Sequence, residues 1–149
     1  MKTALRGTVV GIQTGQARKV QIAGRSILTA IHKTAVTHAV RVQPLGVEGD
    51  EQADLSVHGG LSKAVYAYPS EHYAFWLQAR AQAGVSPIDT TLPWGFLGEN
   101  LSLQGLLEGD VWVGDVLQFP HCALRVTQPR EPCFKFNAAM GFNQASKWM

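Results

Sequence analysis

The stretch Gln128-Pro129-Arg130-Glu131-Pro132-Cys133-Phe134-Lys135 sets one thiol between two prolines and two cations. Proline fixes φ and removes an N–H, so Pro129 and Pro132 predict a stiff, extended loop. Arg130 and Lys135 favour the thiolate of Cys133, the form that attacks an electrophile or ligates a metal. The plain alternative is a buried thiol acting as a small hydrophobe. Two flanking cations argue against it, because an apolar core does not readily take them. Cys122, set among apolar, strand-like residues, is read as structural.

A second stretch, Asp50-Glu51-Gln52-Ala53-Asp54-Leu55-Ser56-Val57-His58-Gly59-Gly60, places three carboxylates and a histidine before a double glycine. Gly59 and Gly60 let backbone approach a ligand and turn N–H groups toward an anion. Lys63 follows as a phosphate-binding cation. A polar turn with solvated acids is the competing reading. Gly98-Glu99-Asn100 is either a tight turn or a partner for the N–H edge of a heterocycle. Lys33 is either an exposed loop cation or an anion contact. Gly109-Asp110 and Gly114-Asp115 read as turns.

Zinc is disfavoured by spacing. His32, His38, His58, His72, Cys122 and Cys133 form no CxxC or HxxxH pair. A cysteine hydrolase needs a histidine beside Cys133, and His58 is the candidate, although spacing alone pairs nothing.

The elements that must position these groups are mostly short strands. Gly7 to Thr14, Arg25 to Ile31, Val36 to Val42, Ala64 to Tyr68, Leu101 to Leu103, Val111 to Phe119 and Ala123 to Thr127 carry strand patterns between Gly and Pro signals. Pro69 to Ala83 is the one clear helix. Its apolar face runs Tyr73, Trp76, Leu77 and then ends in Arg80. Asn137 to Met149 begins a partial second helix. Several strands with one main helix predict a mostly β fold with minor α, a barrel or sandwich.

At 149 residues the natural expectation is one domain, residues 1–149. With 46% hydrophobic and 16% charged residues the composition is ordinary for a globular chain. A formal net charge of +2 is too small to argue for nucleic acid or an anionic membrane. Two cysteines form no disulfide framework, which fits a reducing compartment. The first residues lack the apolar core of a leader, and no apolar run approaches a membrane span. A cytoplasmic protein is the default expectation.

Taken together, Gly49-Asp50-x-x-Ala53-Asp54-x-x-x-His58-Gly59-Gly60-x-x-Lys63-Ala64-Val65, then Gly98-Glu99-Asn100-Leu101, then Gly109-Asp110, then Pro129-Arg130-x-Pro132-Cys133-x-Lys135 resemble the MOSC domain, the C-terminal domain of molybdenum-cofactor sulfurases. The resemblance spans about residues 7 to 145 and is nearest the stand-alone bacterial members. It implies a β-barrel holding the molybdenum cofactor (molybdopterin), with Cys133 as both the catalytic residue and the thiolate on the metal. Soft thiolates suit soft transition centres. Lys33, Lys63, Arg130 and backbone N–H groups are then expected at the cofactor's phosphate. Asp50 or Glu99 is expected at its pterin edge. His58, Gly59, Gly60, Gly98, Asn100 and Lys135 complete the expected pocket. Stand-alone relatives are typically longer, so the chain is expected to lack a C-terminal extension. An exposed strand edge left by such a loss favours association, a dimer being the simplest outcome.

The activity implied by the resemblance is a molybdenum-dependent reductase of N-hydroxylated compounds, such as hydroxylamino-purines, acting in detoxification. The substrate oxygen leaves as water after two electrons arrive. The chain carries no recognisable flavin or nicotinamide motif, so a separate flavoprotein reductase is the expected electron donor. The alternative is a binding module that carries the cofactor, or sulfur on Cys133, without turnover.

Overall fold

The computed structural model describes residues 4–149; Met1–Thr3, read above for a leader, lie outside them. Ten short strands follow one another: β1 (Thr8–Thr14), β2 (Arg18–Ile22), β3 (Arg25–Thr29), β4 (Thr34–Ala35), β5 (Val42–Gln43), β6 (Gly46–Val47), β7 (Ala67–Pro69), β8 (Leu101–Gln104), β9 (Val116–Gln118) and β10 (Ala123–Arg125). Helix α1 (Tyr73–Gln82) lies between β7 and β8, and α2 (Phe134–Met140) follows β10. The fold is mostly sheet with few helices, as the turn-rich sequence predicts.

The strands form one four-stranded sheet in the order β4-β1-β8-β7 and three hairpins, β2–β3, β5–β6 and β9–β10. The expected barrel is therefore corrected: among the described residues no sheet closes. Closure needs every strand paired on both sides with a consistent stagger. Here β4 is two residues long and β7 ends in Pro69, which has no N–H to donate. The alternation of Val36 to Val42 is likewise not a strand. Val36 N–H bonds Ile12 O at 2.8 Å, and pairing then stops until the short β5–β6 hairpin. Alternation reports which side is apolar; it does not supply a neighbouring strand.

The sequence reading missed β2, whose cations and glutamine hide its pairing with β3. Val111 to Phe119 shortens to β9, with a 3₁₀ turn at Glu108–Asp110 before it. The second helix starts three residues earlier than expected. Extended backbone at Cys133, just beyond Pro132, begins α2, and Gly141 at φ 82° ends it.

Two apolar clusters hold the frame. The first joins α1 and α2 through Tyr73, Trp76, Phe136 and Met140, with Leu97 from the intervening loop. Trp76 Nε1 donates to the Tyr68 hydroxyl at 2.7 Å, so the buried indole is satisfied. Arg80, the cation that ends the apolar face of α1, pairs with Asp89 and donates to Met140 O at 2.5 Å. It thereby caps the last carbonyls of α2 from a neighbouring helix. The second cluster packs Leu101, Leu103 and Leu106 against Ile12 of β1 and Leu117 and Leu124 of the β9–β10 hairpin. The thiol loop enters α2 directly after that hairpin.

Candidate functional site

Cys133 opens onto a cleft of about 1330 Å³, floored by β7 and walled by the 50–65 segment, the β9–β10 hairpin and the 128–135 loop. The sequence separation between Cys133 and His58 collapses to 3.9 Å between Sγ and Nε2. Arg130 Nη1 lies 3.1 Å from His58 Nδ1. A guanidinium only donates, so Nδ1 must accept, and the proton of a neutral imidazole sits on Nε2. That N–H faces the sulfur. Burial, then the charges of Arg130, Lys135 and Lys63, hold His58 below its ordinary range, so the neutral ring is the stable one.

This geometry argues against a cysteine hydrolase. A general base must offer a lone pair to the thiol proton. Here the only lone pair of His58 is taken by Arg130, and what His58 offers the sulfur is a donor. The arrangement stabilises a sulfur that carries negative charge.

Arg130 also stacks over the Tyr66 ring, 5.0 Å from its centroid. The Tyr66 hydroxyl is buried, lacks any partner among the described residues, and belongs to a residue that lines the cleft. Burial raises its pKa far above the ordinary phenol range, so it remains a donor. The sequence reading missed Tyr66, since a tyrosine between Val65 and Ala67 looks like an ordinary strand residue.

The remaining expected residues divide. Lys63 and Gly59 stand at the cleft beside His58, and Lys63 Nζ donates to Val57 O at 2.8 Å. Gly59 takes φ 108° and Gly60 φ 78°, so the turn requires glycine; a Cβ at Gly59 would meet Gln52 and Leu55, whereas one at Gly60 would meet open space. Lys135 lies at the cleft but donates to Leu28 O of β3 at 2.9 Å. Lys33 and Asp50, both at the cleft wall, pair with each other at 2.6 Å, with side chains only 6% and 3% exposed. Asp50 Oδ1 accepts Gly15 N–H at 2.8 Å as well. Each neutralises the other.

Gly98 and Asn100 border the cleft; Glu99 does not. Asn100 brackets the sheet: its Oδ1 accepts Tyr66 N–H and its Nδ2 donates to Gln13 O. Glu99 is fully buried, and its Oε1 accepts from the Tyr73 hydroxyl, Gly95 N–H and Ser102 hydroxyl. Its Oε2 has no partner. Cys122 also borders the cleft.

The donor set bears on what metal would fit. Among the described residues no three His, Cys, Asp or Glu side chains converge. A bare ion usually wants several protein donors. One soft sulfur beside hydrogen-bond donors instead suits a metal that arrives with its own ligands.

His58 and His32 make one solution prediction. Burial, then Arg18, lowers His32 as burial lowers His58. Below about pH 6.5 the unfolded chain binds protons that the folded chain refuses, so stability is lost as pH falls through that value. The thermal midpoint of metal-free protein is expected to be higher at pH 7.5 than at 5.5. The difference should shrink in His32→Asn/His58→Asn. An unchanged difference would assign it to other groups.

With this geometry in place, comparison with known proteins is direct. The MOSC domain family model matches residues 54–149, and the chain belongs to that family. Protein YiiM of Escherichia coli (strain K12) is 38% identical over 131 residues, which are 86% of this chain and 54% of that protein. A fungal protein named "Reductase", from Gibberella moniliformis, is 32% identical over 142 residues, 95% of this chain and 24% of that one. The crystal structure of YiiM from Geobacillus stearothermophilus superposes with a TM-score of 0.69 at 29% identity, covering 96% of this chain and 61% of that one. The chain thus spans little more than half the length of the YiiM proteins it matches. Among the described residues no helix is long and apolar enough to cross a membrane.

Proposed function

We propose that this chain is a molybdenum-cofactor-dependent reductase of N-hydroxylated compounds of the hydroxylamino-purine type. Family membership and a relative named as a reductase support the coarser reading, an oxidoreductase associated with that cofactor. The observation that carries the finer one is the sulfur of Cys133, exposed to a large cleft and facing a fixed imidazole N–H. When bound, the cofactor supplies two-electron redox chemistry at a centre selective for oxygen.

The chain's own residues then have assignable tasks. Cys133 would hold the metal through sulfur. His58 Nε2–H would stabilise the sulfur charge, and Arg130 would keep His58 in that tautomer. Lys63 and the Gly59–Gly60 turn would meet the anionic part of the cofactor, while the Tyr66 hydroxyl would donate into the cleft. Reduction of R–NHOH to R–NH₂ and water takes two electrons and two protons. The electrons would come from a separate flavoprotein reductase. A cytoplasmic site of action accords with free thiols.

The test is metal analysis of freshly purified protein, with pterin fluorescence after oxidation, followed by turnover of a hydroxylamino-purine with reduced methyl viologen as donor. Stoichiometric molybdenum and steady amine formation are expected. Molybdenum without turnover on any N-hydroxylated substrate would replace this reading with a cofactor carrier.

A further inference from the structure

The charge of this chain is strongly segregated. Residues 1–47 hold seven cations, Lys2, Arg6, Arg18, Lys19, Arg25, Lys33 and Arg41, and no Asp or Glu at all. All eleven carboxylate side chains fall after position 47. The small net charge conceals this division.

Three of those cations sit on the β2–β3 hairpin. Arg18 pairs across to Thr29, Lys19 to Leu28, and Ile22 to Arg25. Arg18, Lys19 and Arg25 are exposed, and none forms an ion pair among the described residues. Five-residue strands span about 17 Å, so these charges lie within roughly two Debye lengths of one another at 0.1 M salt. Glu51 reaches only the base of the hairpin, where it accepts Ala17 N–H. One face of the hairpin is covered, with Val20, Ile22 and Ile27 half-buried and Thr29 buried, and the other is open. Its exposed face carries Leu28, 44% exposed, directly opposite Lys19.

The hairpin is also joined to the candidate site. Lys135, two residues past Cys133, donates to Leu28 O, the fourth of the five residues of β3. A partner seated on the hairpin therefore lies against the loop that presents the thiol. We propose that the β2–β3 hairpin is the docking face for an acidic protein and, resting on the reductase reading above, that this partner delivers the electrons. Lys19 shares the face of Leu28 and the alternation of side chains sets Arg18 and Arg25 on the other, so the hairpin is cationic on both sides, and charge complementarity speeds encounter with an acidic partner. Nucleic acid fits less well: the hairpin has no aromatic to stack a base, and its three cations fall short of the six to ten phosphate contacts of a tight duplex binder.

The test needs no metal, so it stands or falls apart from the reductase reading. Fluorescein-labelled poly-L-glutamate serves as the acidic probe, read by anisotropy at 20 mM and 150 mM salt. Binding is expected at low salt and weaker binding at high salt. Arg18→Glu/Lys19→Glu should weaken binding at least tenfold. Arg125→Glu/Lys147→Glu makes the same change in net charge away from the hairpin and should weaken it less than twofold. Should the first variant fail to fold by circular dichroism, Lys19→Gln/Arg25→Gln takes its place, with a loss of at least threefold expected. Equal weakening by the hairpin and control variants would overturn the proposal. So would tenfold tighter, hairpin-dependent binding of a 20-base-pair DNA duplex or of anionic phospholipid vesicles at the same salt.

Discussion

Cys133→Ser is expected to leave a folded protein whose thermal midpoint moves by only a few degrees, while its molybdenum content and reductase rate fall at least tenfold. The fold is spared because the change is nearly isosteric and the residue is only half-buried at the cleft. Retention falls because a serine hydroxyl is a hard oxygen donor, whereas a soft sulfur suits a soft transition centre. His58 makes the contrast larger, since its N–H is positioned at 3.9 Å for a large, charged sulfur. Cys122→Ser borders the same cleft and is the internal control: metal and rate should stay within twofold of the parent. Unchanged metal in Cys133→Ser would end the ligand assignment, and loss of metal in a folded Cys122→Ser would mean that the other thiol carries the site.

Part of this site is legible in the chain because its signals are local. Two prolines and two cations around Cys133 predict a presented thiol, and the structure places that thiol at a cleft next to His58, whose other ring nitrogen meets Arg130. His58 and the Gly59–Gly60 turn also announce themselves, since positive φ demands glycine whatever the rest of the fold does. What sequence cannot carry is which polar groups consume each other. Lys33 reads as a free cation, yet its partner Asp50 comes from a segment seventeen residues on. Glu99 reads as a ligand contact, yet three donors gather on one of its oxygens inside the core. Tyr66 gives no local sign, because its importance lies in a hydroxyl that the fold buries without a partner. The same logic explains the fold: strand content follows from short apolar patterns, whereas closure depends on pairings among segments that only the assembled chain decides.

Asp50→Ala should be the most destabilising single change at the cleft wall, by about 3–5 kcal/mol, because it strands a buried Lys33 ammonium and removes a bond from Gly15 N–H. At roughly 2–4 °C per kcal/mol for a chain of this length, the midpoint should fall by about 6–20 °C. Lys33→Ala leaves the carboxylate uncompensated and should cost a similar amount. The informative variant is Lys33→Met/Asp50→Leu. Replacing both charges with apolar groups of similar size removes the desolvation penalty along with the attraction, so most of the lost stability should return. Single changes that each cost under about 1 kcal/mol would mean the pair is solvated. Molybdenum content then reads out the pair's second possible task. If the double variant is stable and still loads metal, Lys33 is a wall brace, and the anionic end of the cofactor must rely on Lys63, Arg130 and the glycine turn. If it is stable but empty, Lys33 exchanges Asp50 for the ligand's phosphate on binding, and the closed pair is the resting state of an anion contact.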